Sequence, residues 1–394
     1  MGRWRITDVR SFLIETVGVG GNYTSQPPGH WIVDERQANP LSIYPSRSDL
    51  RSGGRDSVTG GILVEIETAD GTIGFATGGG GLSSCSVIEQ GLADLLIGAD
   101  ARDIARLWDQ MYRSSLPYGR KGLALMAISA ADLALWDLLG QLRGEPVYRL
   151  AGGATKERIA VYGTGPDPTV FQRRGFFGSK VPFPYGPADG RKGFAGNVAA
   201  VAAHRAAVGE GYPLMIDCFM ALDVPYALEF ARAVEPYGLY WIEEALHPDD
   251  WQGYRRLKEA APWVRWTTGE HEYTRWGFRN LVQDRIVDIV QPDLMWCGGF
   301  SEALRIAALA SAFDVALVPH AGGIYSYHLA MTEPGVPFVE YCNTSPKGDQ
   351  ITPVFGAMFE GEPLALDGTI TLSDAPGWGL RLKREAVSLR RFAA

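Results

Sequence analysis

Six short runs decide the fold: LMID (214–217), YWIEE (240–244), TTGEH (267–271), IVQPD (289–293), ALVPH (316–320) and PFVEY (337–341). Each is a stretch of apolar residues that meets a polar residue at or near its end, namely Asp217, Glu243, Glu270, Asp293, His320 and Glu340. Successive members of that series stand 26, 27, 23, 27 and 20 residues apart. A β-branched and aromatic run ending in a charge, then about twenty residues of helical pattern, then another such run, is a chain of βα units. In a (β/α)8 barrel the C-terminal ends of the strands ring one mouth, and the active site is built there. The spacing therefore predicts that six polar groups converge on one site.

Working outward, eight strands are predicted: IAVYG from Ile159, FFGSKV near Phe177, YPLMID from Tyr212, LYWIEE, VRWTTGE, RIVDIVQPD, DVALVPH and PFVEYC. Segments such as 197–209 and 300–313, with apolar residues at helical spacing, lie between them. Upstream, residues 3–16 and 61–68 alternate like strands, and the second enters a turn at Ala69-Asp70-Gly71. From Val87 to Leu150 the period becomes helical, and the apolar pattern of 125–148 is stopped by Gly144 and Pro146. Asp132 and Asp137 on that helix read as solvated or packing residues. The expected class is α/β, with an α+β capping domain at 1–150, a barrel at 151–352, and a Gly/Pro-rich tail at 353–394 that packs back on the cap.

Residues 17–60 carry much Gly, Ser, Pro and Arg and few periodic apolar positions. A loop that long inside a compact domain is usually functional or disordered. It reads equally as a surface loop and as a lid bringing His30 and an arginine (Arg47, Arg51 or Arg55) to an anionic substrate.

Composition narrows the partners. With 394 residues, 46% hydrophobic and 21% charged, the chain is globular and long enough for a barrel plus a second domain. A net charge of −8 argues against nucleic acid or an anionic membrane as partner. The cysteines, Cys85, Cys218, Cys297 and Cys342, form no CxxC pair, so no disulfide framework or zinc ribbon is expected. The opening MGRWRITDVRSFLIE has charges throughout, and no run reaches the roughly 18 consecutive apolar residues of a membrane span, so a cytoplasmic location is expected.

The ring itself specifies chemistry. Asp217, Glu243 and Glu270, on adjacent strand ends, cannot share a small volume as ions unless a cation neutralises them. All-oxygen ligands favour a hard ion, Mg²⁺ above all, with positions left for substrate oxygens. Alternation along a strand points only one of Glu243 and Glu244 into the mouth and does not say which. His320 and Asp293 end neighbouring strands, and a carboxylate beside an imidazole fixes its tautomer and raises its basicity, as a general base requires. Glu340, if protonated, would donate a hydrogen bond to a substrate oxygen. Lys180 would hold a carboxylate or act as a base opposite His320, and His271 would contact substrate or support the site from behind.

On the segments GHWIVD, DLALWDLLGQLRGEPVYRLAGG, GSKVPFPYGPADG, LMIDCFM, WIEEAL, TTGEH, QPDLMWCGG, VPHAGGIYSYH and EYCNTSP, the chain resembles the mandelate racemase branch of the enolase superfamily, specifically its L-rhamnonate dehydratases. The resemblance implies one Mg²⁺ per subunit on Asp217, Glu243 and Glu270. It places the base on His320, its partner on Asp293, an electrophilic glutamate on Glu340, and lid contacts to substrate on His30 and Arg51. It implies removal of the proton alpha to a sugar-acid carboxylate, an Mg²⁺-stabilised enediolate, and loss of the 3-hydroxyl to give a 2-keto-3-deoxy acid. A homo-oligomer is the family precedent. Two-base relatives carry lysine-x-lysine on the second strand, and here the second position is Pro182. A racemase or epimerase needs bases on both faces, so this departure favours a lyase. The competing expectations are a dehydratase of L-mannonate or L-lyxonate, an epimerase, and a non-catalytic sugar-acid binding protein.

Overall fold

The computed structural model describes residues 2–21, 26–45 and 60–392. Near the N-terminus, β1 (Ile6–Ile14), β2 (Ile62–Thr68) and β3 (Ile73–Gly78) form an antiparallel meander. The turn between β2 and β3 is fixed by Asp70, whose Oδ1 accepts from Thr72 N–H at 3.1 Å and Thr68 Oγ1 at 2.9 Å, with Gly71 supplying φ +82°. Short helical turns over residues 81–96 follow, and then two longer helices, Ile104–Ser115 and Leu123–Arg143. The second lies directly on the sheet: a Cβ on Gly74 would come within 2.2 Å of the Leu138 backbone nitrogen, so only glycine permits that approach. Gly144 closes the helix in the left-handed region at φ +70°.

By length and composition Leu123–Arg143 could cross a membrane, yet 83% of its most apolar window is buried inside the fold. It is the helix on which the two halves of the molecule meet. Of the two readings of Asp132 and Asp137, solvated or packing, the structure shows the second: both are fully buried anchors. Asp132 accepts from the Ser301 N–H and hydroxyl at 2.9 and 2.6 Å. Asp137 accepts the N–H groups of Phe75 and Trp378, each at 3.0 Å.

The second domain is a (β/α)8-type barrel. Its strands are β4 (Ile159–Thr164), β5 (Ser179–Pro182), β6 (Leu214–Asp217), β7 (Trp241–Glu243), β8 (Trp266–Thr268), β9 (Ile289–Val290), β10 (Ala316–Leu317) and β11 (Phe338–Cys342). All pairs are parallel, in the order β10-β9-β8-β7-β6-β5-β4-β11. Every strand but β11 is followed by a helix among the described residues, so the last unit is incomplete. Tyr162, Met215, Trp241, Ile289, Val318 and Phe338 fill the barrel interior as a plug beneath the mouth. Burying each of the larger ones is worth about 1.5–3 kcal/mol, and together they give the polar ring a rigid floor.

The C-terminal segment touches both domains. Its short strands are β12 (Phe359–Glu360), β13 (Thr369–Ile370), β14 (Arg381–Leu382) and β15 (Leu389–Arg391). β13 pairs with β4 of the barrel, β12 pairs with β14, and β15 adds to the free edge of β1 with Leu389 opposite Ile14. Trp378 is buried on the central helix and donates its indole N–H to Leu133 O at 3.0 Å.

Candidate active site

Register converts sequence spacing into a site. Pro182 pairs with Asp217 and Asp217 with Glu243, so three strand ends lie in one row. Beyond β8, Asp293 and His320 pair across the ends of β9 and β10 as an isolated bridge. The chain turns sharply just after Asp217, Glu243 and His320. Phe219, Met220, Glu244 and Ala321 adopt φ of 44°, 58°, 46° and 39°, a region that costs non-glycine residues of order 1–3 kcal/mol each. That strain is held by specific bonds, among them Phe219 N–H to Asp217 Oδ1 at 2.9 Å.

Asp217, Glu243 and Glu270 converge so that one carboxylate oxygen from each lies within 4.8 Å of the others. Glu243 and Glu270 are buried, and Asp217 is partly open to the cavity. Glu243 Oε2 is oriented by Trp241 Nε1 and Gln291 Nε2, each at 2.9 Å. Glu270 Oε2 is buried without a hydrogen-bond partner. A carboxylate oxygen so placed incurs the full desolvation penalty unless something cationic meets it.

The charge count makes the same point. Asp217, Glu243, Glu244, Glu270, Asp293 and Glu340 crowd one region, and the cationic partners within 4 Å are Lys180, His271 and His320. Even with both imidazoles protonated, three negative charges remain. The donor set, its closeness and its orphaned oxygen therefore fit a hard divalent cation. Burial, together with Asp217, Glu340 and their neighbours, pushes Glu243 up against the opposing pull of Lys180. Burial raises Glu270 to about 7 against the nearby histidines.

His320 Nδ1 is 2.8 Å from Asp293 Oδ2, and its Nε2 points to the carboxylate cluster, 3.5 Å from Glu270 Oε2. Burial alone would lower this imidazole. Glu270, the Asp293 hydrogen bond and Glu340 outweigh that and raise it to about 10. Asp293 is itself fixed, because its Oδ1 accepts Met295 N–H at 2.7 Å.

Lys180 is completely enclosed. Its ammonium bonds Glu243 and lies 3.0 Å from Glu340 and 3.5 Å from Asp217. Those carboxylates raise it well above its ordinary value despite burial, which suits a charge holder and not a base. Glu340 differs from the protonated donor that its position suggests. It accepts from Lys180, from the Thr164 hydroxyl and from Ala321 N–H at 2.7 Å. Against the upward push of burial, Lys180, His320 and those bonds hold it down at about 2. At this corner the ammonium, not a carboxylic acid, carries the proton.

Glu243 and Glu244 are both buried, but they diverge. Glu244 Oε2 sits 2.8 Å from His271 Nδ1, and its Oε1 accepts the Thr268 hydroxyl at 2.7 Å. Burial notwithstanding, Glu244 and Glu270 lift His271 to about 9. His271 and His320 line the same cavity of about 430 Å³, within the roughly 300–1,000 Å³ usual for small-molecule sites. The cap closes it with Gly20, Gly21, Trp31, Ile32 and Gly79.

His30 sits behind that wall. It is buried at the start of the helix Trp31–Asp34, where Nδ1 accepts Ile32 N–H at 3.2 Å and Nε2 lies 3.2 Å from Thr344 O. Its neighbours Trp31 and Ile32 face the cavity. Arg51, like Arg47 and Arg55, lies outside the described residues. Thr164, Ala321 N–H, Gln291 and Trp296 join the site without having been singled out by sequence. Three of them lay in segments that carried the resemblance, Gln291 and Trp296 in QPDLMWCGG and Ala321 in VPHAGGIYSYH, whereas Thr164 had no signal there. Cys218 and Cys297 are buried free thiols.

Known proteins carry the same architecture. Residues 171–386 match the family model described as Enolase C-terminal domain-like, and residues 52–152 match the Mandelate racemase / muconate lactonizing enzyme N-terminal domain. The chain belongs to the mandelate racemase / muconate lactonizing enzyme family of enolase-like proteins. A crystal structure of rhamnonate dehydratase from Gibberella zeae complexed with Mg is 48% identical, covering 99% of this chain and 97% of its own, with a TM-score of 0.95. A second, of L-rhamnonate dehydratase from the same organism, is 46% identical over the same shares of each chain, with a TM-score of 0.91. A racemase from Streptomyces coelicolor A3(2) with bound magnesium is 28% identical over 97% of this chain and 98% of its own, with a TM-score of 0.77.

Proposed function

We propose that this chain is a Mg²⁺-dependent acid-sugar dehydratase converting L-rhamnonate to its 2-keto-3-deoxy acid, with His320 as the base. The observation that carries the reading is the Asp293–His320 pair, whose free Nε2 faces the Asp217, Glu243 and Glu270 cluster across one cavity. Identity of 46–48% to rhamnonate dehydratases over nearly the whole chain supports the dehydratase class and the acid-sugar substrate.

Mg²⁺ held by Asp217, Glu243 and Glu270 supplies positive charge to the substrate carboxylate, without which its alpha proton is too weakly acidic to remove. Lys180 and Glu340 border the same place, the ammonium offering a second positive charge and Glu340 holding it there. His320 Nε2 takes the C2 proton, leaving an enediolate. The electron pair then forms the C2–C3 double bond and expels the 3-hydroxyl, which leaves as water with the proton returned by His320. The resulting enol tautomerises to the ketone. Asp293 holds the Nδ1 proton, and a cation on the Asp217, Glu243 and Glu270 cluster would cancel the negative charge that raises this imidazole, freeing the Nε2 lone pair to act as base. His271, backed by Glu244, is assigned to substrate binding, as is Arg51 of the lid; His30, whose ring nitrogens both meet backbone groups behind the cavity wall, is assigned to holding Trp31 and Ile32 in place.

Pro182 favours elimination over epimerisation, because the face opposite His320 has no titratable group at that position. L-mannonate or L-lyxonate is the second substrate reading, since the chemistry at C2 and C3 would be unchanged. A cytoplasmic, homo-oligomeric enzyme is part of this reading and rests on family resemblance. The test is incubation with Mg²⁺ and each acid sugar, assayed for a 2-keto product. Recovery of intact L-rhamnonate, or inverted substrate labelled from solvent, overturns the assignment.

A further inference from the structure

Asp293 ends β9's extension, and the turn that follows hangs from it: its carbonyl accepts the N–H groups of Trp296 at 3.0 Å and Cys297 at 2.7 Å. This turn sets the Trp296 indole between the two site histidines, its ring centre 5.5 Å from His271 and 5.5 Å from His320, tilted by 43° and 41°. The indole thus bounds the cavity and limits where either imidazole can swing. Its polar edge is the less expected part. Other indoles nearby are occupied: Trp31 donates to Asn343 O, Trp108 to Gly298 O and Trp241 to Glu243. Trp296 makes no such bond among the described residues, although it lines the cavity and its Nε1 faces Gly79 of the cap.

Gly79 belongs to a run of four glycines, 78–81, whose members serve different ends. A Cβ on Gly78 would meet Ala130 Cβ at 2.7 Å, and one on Gly80 would meet Ser84 Oγ at 2.0 Å from a backbone at φ +91°. Those two glycines are needed for packing. Gly79 has no such need: its backbone is not left-handed, and an added Cβ would lie 3.4 Å from Trp296 Nε1 and 3.9 Å from Met126 Sδ, ordinary contacts. What a side chain at Gly79 would take is the space in front of the indole N–H.

We propose that Trp296 is a specificity-determining residue: its indole N–H donates to a hydroxyl of the acid sugar beyond the reacting C2 and C3, in space that Gly79 keeps open. The inference rests on the acid-sugar reading above. Its chemistry is that of a neutral donor set among imidazoles and apolar walls (Ile32, Met126, Met295), which rewards a hydroxyl only where one reaches it.

Trp296→Phe keeps a ring against both histidines and removes the donor; Gly79→Ala keeps the donor and fills the space. Each is assayed with L-rhamnonate and with its 4-deoxy and 5-deoxy analogues, alongside the wild type. With L-rhamnonate, both variants raise KM about three- to tenfold, the size of one net hydrogen bond, while kcat stays within about twofold. With one of the two analogues, Trp296→Phe matches the wild type, because the hydroxyl that the N–H would have met is gone. An unchanged KM in Trp296→Phe for all three acids overturns the inference, as does an equal loss for all three, which marks general damage. Wild type inactive on every acid sugar overturns the functional reading instead, and this inference with it.

Discussion

Asp293 holds two things at once: with Oδ2 it takes His320 Nδ1 at 2.8 Å, and with Oδ1 it takes the N–H of Met295 at 2.7 Å. One carboxylate therefore fixes both the base and the turn beside it. In Asp293→Asn the amide oxygen can still accept Met295 N–H, but the amide nitrogen must then face Nδ1 as a donor. That forces the proton onto Nε2, the nitrogen that has to accept. The expected result is a fall in kcat of order 10²–10⁴-fold, the usual worth of a general base, with KM changed little and the melting temperature close to wild type. Steady-state kinetics on L-rhamnonate check it. Wild-type kcat in this variant would remove Asp293 from the mechanism.

The uncompensated charge at the strand ends predicts a trade between stability and metal. Glu270 carries an orphaned buried oxygen, and its neighbours Asp217 and Glu243 are also acidic. Glu270→Gln lowers that repulsion, so the metal-free variant should melt higher than the metal-free wild type. Adding Mg²⁺ should reverse the order. At a hundredfold excess over Kd a ligand adds about 2.7 kcal/mol to the wild type, and the variant, short of one ligand, gains far less. Thermal melts with EDTA and with Mg²⁺ measure both arms. Equal Mg²⁺-induced shifts in the two proteins would count against Glu270 as a ligand.

Among the described residues, Lys180 is the only lysine within reach of the buried Glu243 and Glu340. Lys180→Met fills similar volume and strands both carboxylates. Breaking a buried pair in this way typically costs about 3–5 kcal/mol. Urea unfolding of the metal-free protein should read that loss, and kcat should fall by at least tenfold in the Mg²⁺-loaded enzyme. A variant as stable and as active as wild type would mean that the ammonium is dispensable.

These three residues mark how far the sequence could be read. The ring was legible because each member ends an apolar run at βα spacing, and strand ends share a mouth whatever the helices do. The choice between Glu243 and Glu244 was not, because alternation stops at Glu243 and Glu244 turns to φ 46°, sending both acids inward to different partners. The ionised state of Glu340 was equally hidden. It depends on Thr164 and Ala321 N–H, brought there by the pairing of β11 with β4 and by the turn after His320. The long sequence 17–60 has no periodicity to fix it, and accordingly the part that is described turns His30 to the protein and Trp31 to the cavity.

The last prediction concerns pH and lies away from the site. His328 is buried between Tyr148 and Trp378, and its Nδ1 accepts Tyr148 N–H at 3.0 Å, so the fold holds it neutral. Burial depresses its pKa to about 3, whereas in the unfolded chain it returns to about 6.5. Above pH 6.5 neither state binds this proton and the residue is silent. As pH falls from there toward 3 the unfolded chain is protonated and the fold is not, so stability is lost by up to about 1.4 kcal/mol per pH unit. His328→Gln can offer its amide oxygen to Tyr148 N–H but carries no titratable group. It should be less stable than wild type at pH 7, because the packing against two rings is poorer, yet lose less on acidification. Urea unfolding at pH 7, 6, 5 and 4 therefore gives a shallower slope for the variant. Parallel slopes across that range would mean that the fold accepts a charged imidazole at this position.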